Sequence, residues 1–349
     1  MKSPAARWTG RIVRVAIFMA LVIWLARQLD WPALREVCYT AIAHPLGIIA
    51  GVVLMLLTSL TAALRWRGLL LAQNVALPAG RVMSIFFIGQ FFNSFMLGAC
   101  GGYMARIYYI LRDTTARLTE TATSVLIDRG VGVFVQILVG CLLIVLEWPL
   151  FRAHGAVRTA GLLMLGAGVV ALLAGAALLW KNIFERFPLL HRLTAATPLG
   201  TRVRRAYEEL FLYRRRPRAL AAACGYSLLN LLFQVAATAC LGHSLGITAD
   251  FTAYLVFLPL ISVLTAIPLT PGSFGVRESL FVLLFQSVGV DAHQAVMLSL
   301  LYYATALVWN LAGGIVFLGF SAGAGLNLRE ELARIRHSRD DNGATPPAA

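Results

Sequence analysis

The chain has 349 residues, 59% of them hydrophobic and only 13% charged. Soluble domains carry about a quarter charged residues, so an ordinary soluble globule is excluded and hydrocarbon is the expected solvent. The net charge of +14 does not point to nucleic acid: Lys and Arg gather in short loops between apolar runs, as charge-set membrane orientation requires, and no stretch carries a nucleic-acid reader motif.

A spanning helix needs about 20 apolar residues. Suitable runs occupy 12–29, 46–64, 121–146, 158–180, 219–242 and 295–321. The first follows a basic start and partly resembles a signal peptide. Arg27 stands where a small-residue cleavage site would be, so the run is read as a retained helix. Two more apolar regions, 82–112 and 251–290, are each interrupted by glycine, the second also by proline. Each reads as a helix, a break and another short helix.

Basic residues set the orientation. Lys2, Arg7, Arg11 and Arg14 place the N-terminus in the cytoplasm. Arg65, Arg67 and Arg81 put segment 65–81 inside, and Arg106, Arg112 and Arg117 do the same for 103–119. Region 82–112 is then a re-entrant hairpin turning near Gly98–Gly102; the rival is a plain serpentine with 82–100 fully spanning. Loop 181–218 holds ten basic residues against Glu185, Glu208 and Glu209, and is cytoplasmic. Region 251–290 becomes a second hairpin, entering from outside. A basic tail with Arg329, Arg334, Arg336 and Arg339 returns to the cytoplasm.

The expected fold is an all-α polytopic membrane protein of about six spanning helices and two re-entrant helical hairpins. Helix–hairpin–helix occurs twice in opposite orientation, at 46–146 and 219–321, the layout of an inverted repeat common in secondary transporters. Aligning Arg106 with Arg277 also aligns Gly101 with Gly272. Residues 1–325 form one membrane domain and 326–349 a polar tail. The expected location is a bacterial-type inner or plasma membrane, with both termini cytoplasmic.

The stretch "IPLTPGSFGVRESLF", 267–281, breaks its own helix inside this greasy environment. Irregular backbone at membrane depth is tolerated only within protein or beside water. Pro268 and Pro271 stop the helix, and Gly272 and Gly275 let the chain turn. A short helix starting near Arg277 would aim its N–H groups at the break, where anions are favoured. Arg277 adds a planar fork suited to phosphate or carboxylate, and Glu278 can pair with an arginine or carry a proton. The plainer alternative is that the pair sits at a membrane surface or clamps the hairpin.

Polar stripes mark three helices. Thr121, Ser124, Asp128, Arg129, Gly132 and Gln136 fall in an arc of about 140° at 100° per residue. Ser227, Asn230, Gln234 and Thr238 line one face of 219–242. Ser299, Tyr302, Tyr303, Asn310, Gly313 and Gly314 line one face of 295–321. One stripe alone fits interhelical hydrogen bonding; three stripes and two broken hairpins point to a central polar cavity, which Arg106 could also face.

No Walker-A sequence, dinucleotide fingerprint, HExxH, CxxC or G-x-S-x-G elbow is present, so no cofactor, metal or catalytic residue is expected. The five cysteines, Cys38, Cys100, Cys141, Cys224 and Cys240, read as apolar packing.

Three segments carry a family resemblance. "TPGSFGVRESLF" resembles the P-G-G-x-G-x-R-E signature of the lysylphosphatidylglycerol synthase transmembrane, or flippase-like, family, with Ser273 where glycine is usual. "FFNSFMLGACGGYMARIYYILRDT" is similar to its asparagine, glycine-pair and arginine segment. "SVLIDRGVGV" resembles its acidic-Arg helix, with Asp128 where Glu is common. The resemblance implies a protein that moves lipids or lipid-linked glycans between leaflets. About 28 polar residues follow the last run, too few for the aminoacyl-transferase domain of bifunctional members.

The expectation is therefore a stand-alone lipid or lipid-linked-intermediate flippase, not an enzyme. Head-group candidates are Arg277, Glu278, Arg129, Asp128, Arg106, Asn93, Tyr302 and Asn310; the hairpin breaks are Gly101, Gly102, Pro268, Pro271, Gly272 and Gly275. The expected partners are the lipid substrate, anionic lipid at loop 181–218 and a synthase docked there, with no nucleic acid. The alternatives are a membrane transferase on a polyprenyl or phospholipid substrate, and an accessory subunit of an envelope-lipid or glycolipid synthesis system.

Overall fold

The computed structural model describes residues 45–94, 100–179, 216–266 and 275–319, with Pro32, Tyr39, Tyr213 and Ser273. The expected span 12–29, most of loop 181–218, the tail and the break residues Pro268, Pro271 and Gly272 lie outside the described residues.

Among the described residues ten helices follow one another: α1 (Pro45–Ala72), α2 (Ala79–Asn93), α3 (Cys100–Asp113), α4 (Leu118–Leu146), α5 (Trp148–Ala153), α6 (Gly155–Leu179), α7 (Pro217–Ser244), α8 (Phe251–Thr265), α9 (Val276–Gln286) and α10 (Ala292–Gly319). Among the described residues, α1, α4, α6, α7 and α10 are long and apolar enough to cross a membrane. At about 1.5 Å per residue the 28-residue α1 and α7 reach about 42 Å, beyond the roughly 30 Å hydrocarbon core. Leu162, Leu163, Val169, Val170, Leu172 and Leu173 of α6 are exposed; lipid is the solvent that makes this cost nothing. The protein is thus an all-α, polytopic membrane protein.

The two interrupted regions fold back as hairpins. On the first, Gly102 N–H donates to Asn93 Oδ1 at 2.9 Å, and at the other end Arg81 Nε meets Asp113 Oδ2 at 2.6 Å. Contacts at both ends of two consecutive helices require antiparallel arms, so the ends of 79–113 lie on one side of the bundle. Gly89 and Gly102 permit the approach: a Cβ on Gly89 would lie 2.7 Å from Arg106 Nε and 3.1 Å from the Gly102 carbonyl oxygen. On the second hairpin, Tyr254 and Phe285 rings pack 5.1 Å apart at the open end, and Ser273 Oγ donates to the Thr265 carbonyl at 3.1 Å near the turn. With 11 to 15 residues each, the arms reach about 17–23 Å, short of a full crossing.

The halves are built alike. Helix starts at 45 and 217, and at 79 and 251, are both spaced by 172 residues (217 − 45; 251 − 79). α1 packs on α7, α2 on α10 and α4 on α8. α1 and α7 run antiparallel: Gly47 meets Ser244, Gly51 meets Leu241, and Asn230 donates to the Thr58 carbonyl at 2.6 Å. Equivalent first helices of opposite direction make the repeat inverted. The crossings match as well, with Gly313 of α10 seated on the Phe87 backbone of α2, and Gly140 of α4 against Pro259 of α8. Residues 87 and 259 occupy the same place in helices starting at 79 and 251.

One feature of the first hairpin departs from expectation. Of the expected turn near Gly98–Gly102, Gly101 and Gly102 are helical, and Gly98 lies outside the described residues. The glycine pair begins α3, and Gly102 is small because α2 passes against it.

Candidate functional site

The first buried polar cluster joins α1, α3, α4 and α7. Asp128 lies on the α4 face that also buries Thr121 and Ser124. It receives Arg65 Nε at 2.7 Å and Arg106 Nη1 at 3.5 Å. Arg65 also donates to Ser227 Oγ of α7 at 2.9 Å, and Gly132, one turn past Asp128, leaves room for its guanidinium. Arg106 donates weakly to Gln90 Oε1 at 3.4 Å and lies over the rings of Phe86, at 4.0 Å, and Trp66, at 5.3 Å. Arg65, Arg106 and Asp128 are all buried, at 9%, 3% and 4% exposure.

The second cluster belongs to α9 and α10. Arg277 is buried, pairs with Glu278 Oε1 at 2.6 Å, donates to Ser299 Oγ at 3.1 Å and stacks 4.5 Å from the Tyr303 ring. Glu278 Oε2 accepts the Gly275 N–H at 2.6 Å. The carboxylate therefore takes the N-terminal N–H of its own helix, the place where the sequence predicts an external anion. Gly275 reaches this cap at φ 81°, a conformation glycine adopts freely.

A group of polar side chains lies between the two. Gln136, two turns beyond Asp128 on α4, donates to Gln234 Oε1 of α7 at 3.4 Å. Gln234 in turn bonds Ser262 of α8 at 3.3 Å and Tyr302 of α10. Tyr302 is one turn from Ser299 and beside Tyr303, the partners of Arg277. All three stripes expected from sequence thus converge, and each hairpin contributes to the same interior line.

The remaining expected residues fall in different places. Asn310 Nδ2 donates to Ser94 Oγ at 2.8 Å and holds the turn of the first hairpin against α10. Asn93 caps the approach of Gly102. Both are positioned as braces of the break. Arg129 stands apart: it is exposed, because adjacent residues on a helix point about 100° apart and Asp128 takes the buried direction. Arg65 and Gln90 are the members that sequence reasoning missed, whereas Ser227 belongs to the stripe expected on 219–242. Thr58, Thr61 and Arg65 share one face of α1, and that stripe was the available signal.

At the open end of the first hairpin, Asp113 is shared by Arg81 at 2.6 Å and Arg112 at 3.1 Å. Burial pushes its carboxyl up, but the hydrogen bonds and charge of the two arginines outweigh that and hold it below the usual carboxylate range. A groove of about 550 Å³ lies at the junction of α1 and α7, lined by Gly68, Leu71, Arg216 and Arg218 among others.

Among the described residues no group of three or more His, Cys, Asp or Glu side chains is placed to hold a metal ion. No curated protein matches the chain. The family profile described as lysylphosphatidylglycerol synthase TM region matches residues 11–314, a stretch that takes in both buried clusters and both hairpins, and the chain belongs to that family.

Proposed function

We propose that the chain is a transporter that moves a lipid, or a lipid-linked intermediate, between the leaflets of a bacterial-type inner membrane, with both termini in the cytoplasm and no catalysis of its own. The observation that carries this reading is the line of buried, paired charges and amides from Asp128 to Arg277, set between spanning helices and touched by both broken hairpins. Ionisable groups at membrane depth are costly and mark substrate pathways by default. The head group follows this line while the acyl chains stay in the bilayer, and rocking of one half against the other exposes it to each side in turn. Family membership supports a lipid-related role; an inverted repeat with paired discontinuous helices supports transport.

Lipid movement in proteoliposomes tests it. Vesicles carry fluorescent anionic or neutral phospholipids, or a fluorescent polyprenyl phosphate, and a membrane-impermeant quencher reads the outer leaflet. Wild type is expected to expose inner-leaflet probe, and Arg277→Ala and Glu278→Gln, inserted equally, to lose that exposure. If the variants move lipid as wild type does, the second hairpin is not part of the path. If wild type matches empty vesicles with every probe, the transport reading fails.

A further inference from the structure

We propose that the groove between the ends of α1 and α7 is the cytoplasmic mouth of this path, where the lipid head group enters from the inner leaflet, and that α1 and α7 rock to close it as their opposite ends part. This deepens the transport reading above and rests on it. A difference between repeat mates, residues 172 apart, carries it. Because α1 and α7 run antiparallel, a contact near one end has a counterpart near the other. At the far end Gly47 sits on Ser244, so closely that a Cβ would lie 2.6 Å from the Cys240 carbonyl oxygen. The mates of Gly47 and Ser244 are Ala219 and Ala72. Both line the groove of about 550 Å³ instead, with Gly68, Leu71, Arg216 and Arg218. A Cβ on Gly68 would meet no atom of the described residues within 4 Å. One pair of helix ends is sealed and its equivalent is split.

The split stops after about one turn. Leu69 and Ala223, buried with Tyr213, form its floor, and their mates Leu241 and Gly51 meet at the sealed end. One turn below the floor Arg65 bonds Ser227, so a head group in the groove lies next to the interior line. Midway along the pair, Asn230 Nδ2 donates to the Thr58 carbonyl at 2.6 Å. Residues 58 and 230 are mates of each other, so this bond lies on the axis relating the halves and serves as the pivot. The rim suits a lipid: Arg216 and Arg218 are exposed beside the exposed Leu71, so charge and apolar wall meet as they do at a membrane surface. The Arg216–Asn74 bond across the rim is exposed and long, at 3.4 Å, and yields readily. Inverted repeats alternate by rocking one half against the other. Exchanging the roles of the mates seals Ala72 on Ala219 and parts Gly47 from Ser244.

Thiol labelling in nanodiscs, where both faces are open, tests the mouth without requiring transport. The native cysteines are replaced by alanine, and a charged maleimide reads Gly68→Cys at the mouth or Ser244→Cys at the sealed end. Gly47→Ala wedges the sealed end apart. It is expected to slow labelling of Gly68→Cys, about 32 Å away along α1, by about threefold or more, whereas Gly166→Ala on α6, whose Cβ has open space, leaves the rate unchanged. A bundle that is merely destabilised labels faster, not slower. Independently, Ala72→Cys with Ala219→Cys is expected to form a disulfide on oxidation, which holds the two Cα atoms within about 7 Å and the mouth shut. That disulfide should raise labelling of Ser244→Cys about threefold or more. If Gly47→Ala unfolds, equal labelling of both reporters shows it, and the disulfide decides alone. Unslowed labelling in a folded Gly47→Ala, no disulfide, or a disulfide that leaves Ser244→Cys protected would overturn the proposal. If the two ends respond reciprocally but proteoliposomes show no lipid movement, the transport reading falls and the rocking pair stands; lipid movement without reciprocal labelling fails the mouth alone.

Discussion

The two broken hairpins occupy equivalent places in the repeat, yet each buries its arginine differently. Arg277 finds its carboxylate one residue away and meets Ser299 and Tyr303 of the neighbouring helix α10. Arg106 has no acidic residue on its own hairpin within reach; it shares Asp128 of α4 with Arg65 of α1. The second hairpin carries its own counter-charge. The first is neutralised, incompletely, by the rest of the bundle. A repeat thus preserves the backbone plan while its halves divide the chemistry, with one holding a fixed latch and the other an under-compensated cationic site.

Removing the shared carboxylate is the largest expected break. Asp128→Asn strands two buried guanidinium groups and should destabilise the chain by about 3–5 kcal/mol, the usual result of breaking a buried pair from one side. Glu278→Gln keeps most of its cap geometry and leaves only Arg277 short of charge, so about 1–2 kcal/mol is expected. Thermal unfolding in one detergent compares the two. Equal losses would show that the halves are neutralised alike and would remove the contrast.

Arg65 explains why sequence alone did not show this. The apolar run of α1 ends at residue 64, so the basic segment that follows reads as a loop. The helix continues to Ala72 because Arg65 is buried against a partner 63 positions away, a distance no local pattern spans. The Asp128–Arg129 pair shows the opposite case. Periodicity puts both in one broad arc, and the structure narrows it: Asp128 continues the Thr121–Ser124 stripe, whereas Arg129 continues the apolar side marked by the exposed Leu126. The five spans among the described residues, the two breaks and the doubled layout were legible because hydropathy and chain breakers are local. Which charge meets which was not, because it is decided by helix packing.

The next contrast lies where each hairpin is held. Gly313 abuts backbone at Phe87, which cannot swing aside, whereas Gly140 faces chiefly the flexible Met164 side chain. Gly313→Ala should cost about 2–3 kcal/mol and loosen the first hairpin, and Gly140→Ala less than about 1 kcal/mol. Proteolytic nicking near residues 94–99, faster in Gly313→Ala alone, would confirm that the effect is local to the first hairpin; equal nicking in both variants would refute it.

The open ends differ as well. The first is pinned by Asp113 between Arg81 and Arg112, the second by the tilted Tyr254–Phe285 ring contact. Asp113 titrates below its unfolded value, so its contribution to stability is present above the unfolded carboxylate pKa of about 3.9 and is lost as pH falls through the lower folded value. Melting curves between about pH 5 and pH 2 should therefore decline more gently for Asp113→Asn than for wild type, with a difference at pH 7 of about 1 kcal/mol or less because Arg81 is partly exposed. Tyr254→Phe should leave the wild-type pH profile intact.

The smallest expected effect is at Ser273, and it runs the other way. Ser273 stands at φ 57°, in the left-handed region where a Cβ is crowded. Its hydroxyl recovers part of that cost by donating to the Thr265 carbonyl at 3.1 Å, which ties the turn back to the end of α8. Glycine adopts this conformation without strain but loses the tie and gains freedom in the unfolded chain. The strain, about 1–2 kcal/mol, should slightly exceed the net worth of one hydrogen bond, about 0.5–1.5 kcal/mol, so Ser273→Gly is expected to raise stability by a few tenths of a kcal/mol. Ser273→Ala separates the two terms, since it keeps the strain and removes the tie, and should fall below wild type. If both variants are less stable than wild type by the same amount, the hydrogen bond alone fixes the turn, and the left-handed backbone there costs nothing that glycine would relieve.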